Sequence, residues 1–386
     1  MTWLWLACGG SDPIPAATER FRDRAPAVLD LDCGGGAAWA NLQDAIDAAR
    51  SGDTIRVAAG TCYGSIDFVG KTVRIEARDG VGTTTLASSP GSAAVSVKSG
   101  EGPGTALVGL RITGGGGLVD SAIEVSLSTL LLQDVTVEGN VGVHALHARS
   151  TDIDVVRTTF VNNTASSGVV VFAQRGHVLW KDSTLVCGGI GTGLESRHGA
   201  FLLDGGTLNC AGTTGFLSEH SVGRMMRVVV DGTTELQGEF DDAMAVINGV
   251  QRGPVVADAV TLVVRNTVFD GAALDVSNVS GGPIENNVFF GGACGVDGAT
   301  AGLTVRNNTF FNVVDPHCGS VADYVGVNGN LADDPQFVDA AAHDYHLLPT
   351  STLIDAGFDT PLNLDVDGSR ADIGVYGGRF GLGGGW

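Results

Sequence analysis

Three segments of the sequence carry nearly the same five residues: Arg265-Asn266-Thr267-Val268-Phe269, Glu285-Asn286-Asn287-Val288-Phe289 and Arg306-Asn307-Asn308-Thr309-Phe310. Their phenylalanines are 20 and 21 residues apart, and comparable apolar positions precede them at Phe160, Val137 and Ile112. A period of about 20 to 25 residues, with short apolar runs and Gly or Asn turns, is typical of a solenoid of β-coils. One coil cannot bury its own inward face, so stacked coils supply the core. We therefore predict an all-β fold, a β-solenoid.

The repeated side chains are predicted to be structural rather than ligand-binding. The phenylalanines should stack in the interior of the solenoid. The first asparagine of each segment should form a ladder in which amides bond to one another and to the turn backbone. These ladder residues are Asn266, Asn286 and Asn307.

The repeat is least regular between Thr213 and Asp258. The 61 residues from Leu208 to Phe269 are predicted to form two coils plus an excursion. In total we expect roughly nine to eleven coils.

The composition limits the classes of function. The 386 residues include 58 glycines, which suit turns between short strands, and carry a formal net charge of −21. This charge excludes nucleic acid as an expected partner, because its phosphates would be repelled, and it disfavours acidic polymers unless cations intervene. No run of about 18 apolar residues occurs, so we expect membrane contact only through a lipid anchor.

The first residues resemble the end of a bacterial lipoprotein signal. Leu6-Ala7-Cys8 is followed by small residues, although the basic region and long apolar core of an ordinary signal are missing. Residues 1–8 are therefore predicted to be a partial lipoprotein signal with lipidation at Cys8, the true start lying upstream. The alternative is a chance cysteine. Residues 9–32 are predicted to be a linker.

An amphipathic helix is predicted ahead of the solenoid. Asn41 can cap a helix that runs to Arg50 and ends before Gly52. Its apolar residues share one face, and residues 53–57 then alternate as a strand. Such a helix covers the open end of the first coil, where backbone groups would otherwise pair with another chain.

This N-terminal segment, Ala45-Ile46-Asp47-Ala48-Ala49-Arg50-Ser51-Gly52-Asp53-Thr54-Ile55-Arg56-Val57-Ala58-Ala59-Gly60-Thr61, resembles right-handed parallel β-helix proteins of the pectin-lyase-like superfamily. The C-terminal region resembles bacterial surface proteins of the choice-of-anchor Q type, through the segments at residues 334–339, 343–347, 354–357, 365–368 and 372–376. The resemblance implies a parallel β-helix over residues 33–340 and a C-terminal cap over residues 341–386. It also implies an exported, envelope-associated protein, and it implies no single reaction.

The cysteines predict disulfides between neighbouring coils. Cys187 and Cys210 occupy the same position of successive coils, 23 residues apart. Stacked strands lie about 4.8 Å apart, within the Cα separation that a disulfide accepts. The three predicted pairs are Cys187–Cys210, Cys294–Cys318 and Cys33–Cys62, the last joining the N-terminal cap to the first coil. Paired cysteines fit an oxidising compartment, and buried free thiols are the alternative.

Residues 238–248 resemble the paired-aspartate segment of polygalacturonases, in which adjacent carboxylates act as acid and base. This implies catalytic roles for Asp241 and Asp242. The Asn-Thr-Asp, later Gly-His-Gly and Arg-x-Lys motifs of those enzymes do not follow here, which puts hydrolysis in doubt. A lyase mechanism with calcium on these acids would use Arg224 or Arg227 as the base. The alternative is a solvated acidic face.

A second acidic motif has the opening rhythm of a calcium loop. Asp365, Asp367 and Asp372 surround Gly368, but the twelfth-position Glu of an EF-hand is missing. The motif predicts either a structural calcium ion or an Asx-turn that closes the C-terminal cap. His144 and His147 are three residues apart and are expected to point to opposite faces of a strand, which makes them a poor metal pair.

From these observations we predict an exported protein of the bacterial cell envelope, either an outer-membrane lipoprotein or secreted. Its expected function is that of a monomeric, non-catalytic scaffold that binds a polysaccharide or an envelope protein. The alternative is a polysaccharide lyase or glycoside hydrolase that acts on an acidic polysaccharide. No cofactor other than calcium is expected.

Overall fold

The computed structural model describes residues 25–189, 191–239, 241–298, 302–319, 324–360 and 363–381. The helices in these residues are α1 (Leu42–Ala48) and the 3-10 helix η1 (Ala340–Ala342). The first strands in chain order are β1 (Val28–Leu31), β2 (Thr54–Val57), β3 (Gly60–Tyr63), β4 (Ile66–Asp67), β5 (Arg74–Ala77), β6 (Thr84–Ala87), β7 (Val95–Val97), β8 (Ala106–Val108), β9 (Leu110–Thr113), β10 (Ile123–Ser126), β11 (Thr129–Gln133), β12 (Thr136–Glu138), β13 (Val141–Gly142), β14 (Leu146–Arg149), β15 (Asp152–Val156), β16 (Thr159–Val161), β17 (Thr164–Ala165) and β18 (Val169–Gln174). The later strands are β19 (His177–Val186), β20 (Thr192–Arg197), β21 (Ala200–Glu219), β22 (Val222–Met226), β23 (Val229–Gln237), β24 (Ala243–Ile247), β25 (Val250–Gln251), β26 (Val255–Arg265), β27 (Val268–Asp270), β28 (Leu274–Glu285), β29 (Val288–Phe290), β30 (Cys294–Asp297), β31 (Leu303–Arg306), β32 (Thr309–Phe311), β33 (Asp315–Cys318), β34 (Phe337–Asp339) and β35 (Asp344–Leu347).

The strands stack in parallel into three faces of one helix. Face 1 is formed by β1, β2, β5, β8, β11, β15, β19, β21, β22, β24, β26, β28 and β31. Face 2 runs from β3 to β32, and face 3 from β4 to β33. The long strands, such as β21, turn a corner and serve more than one face. The predicted fold class, a right-handed parallel β-helix, is confirmed, with about 12 turns.

The core is built from columns of inward residues. On face 1 one column pairs Ile55, Ile75, Leu107 and Leu132 on successive coils, all fully buried. On face 2 the predicted phenylalanine stack is present: the rings of Phe269, Phe289 and Phe310 lie 4.6 and 4.8 Å apart and nearly parallel. This column continues through Phe160, Val137 and Ile112, as the repeat predicted.

The predicted excursion between Leu208 and Phe269 is wrong. The same inward column passes from Leu208 to Val230, then to Gln251, and then to Phe269. The segment is therefore three coil steps, and the irregularity is a register shift between Asn209 and Thr214. Gln251 hides the repeat because it is a fully buried polar residue in an apolar column. Its side-chain oxygen accepts a hydrogen bond of 3.0 Å from the Thr234 hydroxyl, while its buried amide nitrogen has no hydrogen-bond partner among the described residues.

The N-terminal end begins earlier than expected. β1 lies inside residues 9–32, which were predicted to be a linker, because the alternating Val28–Leu31 segment pairs with β2. Helix α1 is present, and the Asn41 side chain caps it by accepting hydrogen bonds from the backbone amides of Gln43 and Asp44. The predicted signal and Cys8 lie outside the described residues.

The predicted asparagine ladder exists one residue later than expected. Asn287, Asn308 and Asn330 are buried, and each side-chain oxygen of the last two accepts hydrogen bonds from the asparagine one coil earlier. The predicted ladder residues instead have left-handed backbones, which turn their side chains outward: Asn266, Asn286 and Asn307.

These outward asparagines hold the C-terminal cap against the helix. Asn266 donates to the carbonyl of Asp372 at 3.1 Å, and Asn307 donates to that of Ala356 at 2.9 Å. The cap contains the antiparallel pair β34–β35. It covers face 2 near the end of the helix through a separate apolar cluster: Val250, Val268, Val288, Tyr345, Leu353, Ile373 and Val375.

All three predicted disulfides are confirmed. The Cα atoms are 5.2 Å apart in Cys33–Cys62, 5.0 Å in Cys187–Cys210 and 5.9 Å in Cys294–Cys318. Three disulfides indicate an extracytoplasmic, oxidising compartment. In the part of the chain that the structure describes, no helix is long and apolar enough to cross a membrane.

Candidate functional site

The residues predicted to be catalytic do not form an ion-paired cluster. Asp242 lies in the turn before β24 and accepts a hydrogen bond of 2.9 Å from the backbone amide of Glu239, while Asp241 is exposed. Arg224 is exposed on the outer side of β22. Among the described residues, no ion pair within 4 Å joins Arg224 to either aspartate. Catalysis at these residues stays a prediction.

The alternative lyase base, Arg227, is already paired. Its guanidinium donates to the Asp204 carboxylate one coil earlier, with the Arg227 Nε 2.8 Å from Oδ1. Arg227 has a left-handed backbone, with φ of 57°, so it lies at the corner after face 1. Arg227 therefore pairs with Asp204 on the surface of the helix and does not reach the turn that holds Asp241 and Asp242.

The predicted calcium loop is closed by hydrogen bonds. Asp367 accepts bonds from the amide and hydroxyl of Ser369 at 2.9 and 2.6 Å, which is the predicted Asx-turn. Asp372 accepts a bond from the Asp355 amide at 2.8 Å, and Asp365 accepts one from the Asp372 amide at 3.1 Å. Within the described ranges, no group of three or more His, Cys, Asp or Glu side chains is arranged to hold a metal ion. Calcium binding stays a prediction.

The two histidines expected on opposite faces are adjacent. The rings of His144 and His147 lie 5.3 Å apart, and both contact Phe172. The expectation is wrong because His144 precedes β14, in the turn, where strand alternation does not apply. Burial lowers the pKa of His144, and His147 Nδ1 lies 3.2 Å from the Glu124 carboxylate.

Two adjoining cavities with convergent polar groups form a groove on face 1. One cavity of about 440 Å³ extends from Arg74 past Leu131 to Asp152, Asp154 and His177. A second cavity of about 390 Å³ adjoins it and shares Asp152 and His177. We call these two cavities together the face 1 groove. From β5 to β19 it follows four coil steps, or about 19 Å at about 4.8 Å per step.

Strand β15 places two carboxylates on the floor of this groove. Ile153 and Val155 are buried in the core, so the alternation of the strand turns Asp152 and Asp154 outward to the same side. Residues two apart on a strand are separated by about 6.6 Å. Both carboxylates are exposed to solvent in the groove.

The two carboxylates have different surroundings. Asp152 is held by the next coil, where the His177 Nδ1 lies 2.6 Å from its Oδ1 and the His177 amide donates at 3.2 Å. Asp154 has neither a hydrogen bond nor an ion pair with a described residue. Partial burial, followed by the charge of Asp152, raises the pKa of Asp154. Such a difference between neighbouring carboxylates is typical of acid and base pairs.

One wall of the groove is held by a buried carboxylate. Glu101 is 1% exposed and accepts hydrogen bonds from the amides of Gly70 and Ser99 and from the Ser128 hydroxyl, at 2.7–2.8 Å. Burial alone would raise the pKa of Glu101, but these bonds hold it below its usual value. Glu101 thus fixes the segment that leads to Pro103 at the groove edge.

The sequence analysis did not identify this site. The available signal was Asp152-Ile153-Asp154-Val155, which alternates acidic and apolar residues in a segment aligned with the repeat. Two acids alternating with core residues on one strand must share the outer face. The other groove residues come from separate coils and carry no local motif.

No protein-family model matches the sequence, and no curated protein is similar to it. Among solved structures, the chain is similar to the pectate lyase Pel9A, with a TM-score of 0.43 and 12% identity, over 92% of this chain and 96% of that chain. It is also similar to the PL6 family polysaccharide lyase Pedsa3628 from Pseudopedobacter saltans, with a TM-score of 0.27 and 14% identity, over 74% of this chain and 64% of that chain. At these values neither similarity assigns an activity, and the fold follows from the strand pairing itself.

Proposed function

We propose that this protein is an exported β-helix of the cell envelope that binds a polysaccharide along the face 1 groove, as a scaffold rather than as an enzyme. The observation that carries the proposal is the groove itself, which runs along five stacked coils with Asp152, Asp154 and His177 on its floor. A long, open and rigid groove suits a chain better than a compact ligand, because each coil presents another row of side chains.

The chemistry of the lining favours a glycan. Carboxylates accept hydrogen bonds from hydroxyl groups, while Arg74 and Arg175 at the two ends of the groove donate them. Leu131 and Pro103 supply apolar surface for the carbon face of a sugar ring. With two acids at its centre and a net charge of −21, the groove is suited to a neutral or amino-containing glycan rather than to an acidic one.

A second candidate function, glycoside hydrolysis, is favoured by the raised pKa of Asp154 beside Asp152. Asp154 would donate its proton to the glycosidic oxygen as the bond to the anomeric carbon breaks. Asp152 would take a proton from the water whose oxygen bonds to that carbon. Their Cα positions are about 6.6 Å apart along the strand, and inverting enzymes hold their two carboxyl groups roughly 6.5–9.5 Å apart. The acidic-polysaccharide lyase with Asp241, Asp242 and Arg224 stays a further alternative.

Binding is tested by affinity electrophoresis of the full chain in gels that contain β-glucan, xylan, chitosan or pectate. We expect at least one neutral or amino-containing glycan to retard the protein. Asp152→Asn and His177→Gln should lose the retardation, and Asp258→Asn, an exposed aspartate on face 3, should keep it. Equal mobility shifts in all variants, or retardation by pectate alone, would contradict the proposal.

Catalysis is separated from binding by measuring new reducing ends with the same glycans. The scaffold proposal expects none. Release by the wild type, lost in Asp154→Asn while retardation persists, would establish the hydrolase instead. Unsaturated products from pectate that require calcium and are lost in Asp242→Asn would establish the lyase.

Two further proposals concern how the protein is attached to the cell envelope. Lipidation at Cys8 predicts that the protein produced in a bacterial host incorporates a labelled fatty acid, and that its Cys8→Ala variant does not. Equal labelling of both would remove the lipoprotein proposal. The choice-of-anchor Q resemblance of the cap is likewise proposed as a surface-association signal, and deleting residues 341–386 should then release the protein into the medium.

A further inference from the structure

A third cavity lies on face 2, between the helix and the C-terminal cap, and is separate from the two cavities of the face 1 groove. Its volume is about 350 Å³. Face 2 contributes Val229, Val250 and Arg252, and the cap contributes the remaining residues: Ala342, His343, Asp344, Tyr345, His346, Val375 and Tyr376. Ligand cavities cover roughly 300–1,000 Å³, so this one is sized for a single ring rather than a chain.

The polar groups of this cavity converge from two elements. Arg252 directly follows β25, and Asp270 is the last residue of β27. The two residues occupy equivalent positions on adjacent coils. From the cap, the Tyr345 hydroxyl donates to Asp270 at 2.7 Å, and His343 Nδ1 lies 3.1 Å from that hydroxyl. The buried Arg252 Nε has no hydrogen-bond partner among the described residues. A gap left by imperfect packing would be lined by apolar groups, whereas this one is lined by polar groups as well.

The backbone holds these groups in place. His343 has a left-handed backbone, with φ of 62°, between η1 and β35, which is uncommon for a residue other than Gly or Asn. Burial and the hydrogen bond to Asp270 raise the pKa of Tyr345 well above its ordinary value, so the phenol keeps its proton at neutral pH. The Tyr345 hydroxyl thus stays bonded to the Asp270 carboxylate, with the His343 ring beside it.

The charges of the cavity balance, which decides the class of ligand. Among the lining residues, the cation Arg252 is matched by the carboxylate of Asp344, which lies 2.6 Å from His346 Nδ1. The lining offers both donors and acceptors without an excess of positive charge, which a carboxylated or phosphorylated ligand would require.

The apolar part of the lining has the shape that a sugar ring requires. The rings of His346 and Tyr376 stack at 3.8 Å, forming a flat aromatic wall. Val229, Val250 and Val375 line the cavity as well. Aromatic and aliphatic walls with a few placed polar groups are typical of small-ligand sites.

We infer that this cavity, bounded by Arg252, His343 and the His346–Tyr376 wall, binds one uncharged pyranose unit, such as the end of a glycan chain. The inference does not depend on the face 1 groove, because the two sites share no residue.

The test uses the full chain with methyl β-D-galactopyranoside, methyl β-D-glucopyranoside and N-acetylglucosamine, and with D-glucuronate as the charged comparison. Binding is measured by saturation-transfer NMR and calorimetry. We expect at least one neutral sugar to bind, and Arg252→Gln to weaken it about tenfold or more, since a charged hydrogen bond is lost. His343→Gln should weaken it as well, and Arg78→Gln, an exposed arginine paired with Asp79, should not.

Three results would overturn the inference: no neutral sugar binds, D-glucuronate alone binds, or both cavity variants bind as tightly as Arg78→Gln. Thermal unfolding of each variant shows whether the cap remains docked. If Arg252→Gln unfolds early, the exposed His343→Gln carries the test, since it removes only the imidazole at the cavity edge.

Discussion

The side-chain oxygen of Asn308 accepts two hydrogen bonds from Asn287 on the preceding coil, one from its backbone amide at 3.0 Å and one from its side-chain amide at 2.9 Å. Asn308 in turn donates to the carbonyl of Ile284 at 2.9 Å. Each rung therefore satisfies buried backbone groups that a turn between parallel strands leaves without partners. Because these hydrogen bonds pair the asparagines, the polar side chains at this corner of the helix can be buried beside the core.

Asn308→Ala should destabilise the C-terminal coils by about 3 kcal/mol, because it leaves several buried donors and acceptors of Asn287 and Ile284 unpaired. Asn278→Ala, which removes an exposed asparagine, should change stability by less than about 0.5 kcal/mol. Urea unfolding followed by circular dichroism measures both. Similar midpoints for the two variants would show that the ladder adds no stability.

A buried carboxylate joins the last coils in a different way. Glu285 is 1% exposed and lies between two arginines, 2.6 Å from Arg265 Nε and 2.7 Å from an Arg306 guanidinium nitrogen. The Arg306 guanidinium also lies over the Phe358 ring of the cap, 3.2 Å from its centroid. The ion-paired group therefore links three successive coils to the cap.

Glu285→Ala should cost about 2–3 kcal/mol, less than the removal of a partner from a fully buried pair because both arginines keep some contact with water. Glu138→Ala breaks the more exposed pair with Arg111 and should cost less than about 1 kcal/mol. Thermal unfolding compares the two variants. An equal loss in both would mean that burial adds nothing to the Glu285 pair.

The disulfides should stabilise the helix locally. Removing Cys187–Cys210 with a double Ser substitution should cost about 3 kcal/mol, as expected for a closed loop of this separation. Because coils contact mainly their neighbours, hydrogen exchange should rise around β19 and β21 and not near Cys33–Cys62. Peptide mapping without reductant should recover the three pairs, and any other pairing would contradict the coil register.

The sequence predicted the features that repeat. The phenylalanine column and the pairs Cys187–Cys210 and Cys294–Cys318 follow from a period of 20 to 24 residues, because equal positions on successive coils must be neighbours. The prediction failed where a coil departs from the repeat: Gln251 replaces an apolar core residue, and the excursion inferred from that gap does not exist.

The site could not be predicted in the same way. The groove combines Arg74, Asp152 and His177 from separate coils. Inward positions must be apolar on every coil, but no such requirement applies to the outward positions, so they show no repeating pattern. The adjacent Asp241 and Asp242 were conspicuous in the sequence because they are consecutive. Asp241 and Asp242 lie in the turn before β24, where strand alternation does not place side chains together, whereas Asp152 and Asp154 share one side of β15 because one residue separates them.

The cap should respond to pH through Asp365. Burial first, and then the charges of Asp372 and Asp367, raise the pKa of Asp365 to about 6, against the amide hydrogen bonds that lower it. An unfolded aspartate has a pKa of about 3.9, so between about pH 4 and pH 6 the folded cap holds a proton that the unfolded chain has lost. Linkage then requires stability to fall as the pH rises through this window and to stay lower above it.

Asp365→Asn removes this proton, so the decline in stability from about pH 4 to about pH 7 should be smaller than in the wild type. It should not vanish, because burial also raises the pKa of Asp372. Asp359→Asn, an exposed aspartate of the cap, should keep the full wild-type decline. Thermal unfolding across this range measures all three proteins. The same pH dependence in Asp365→Asn as in the wild type would show that the carboxyl is ionised at no cost in the folded cap.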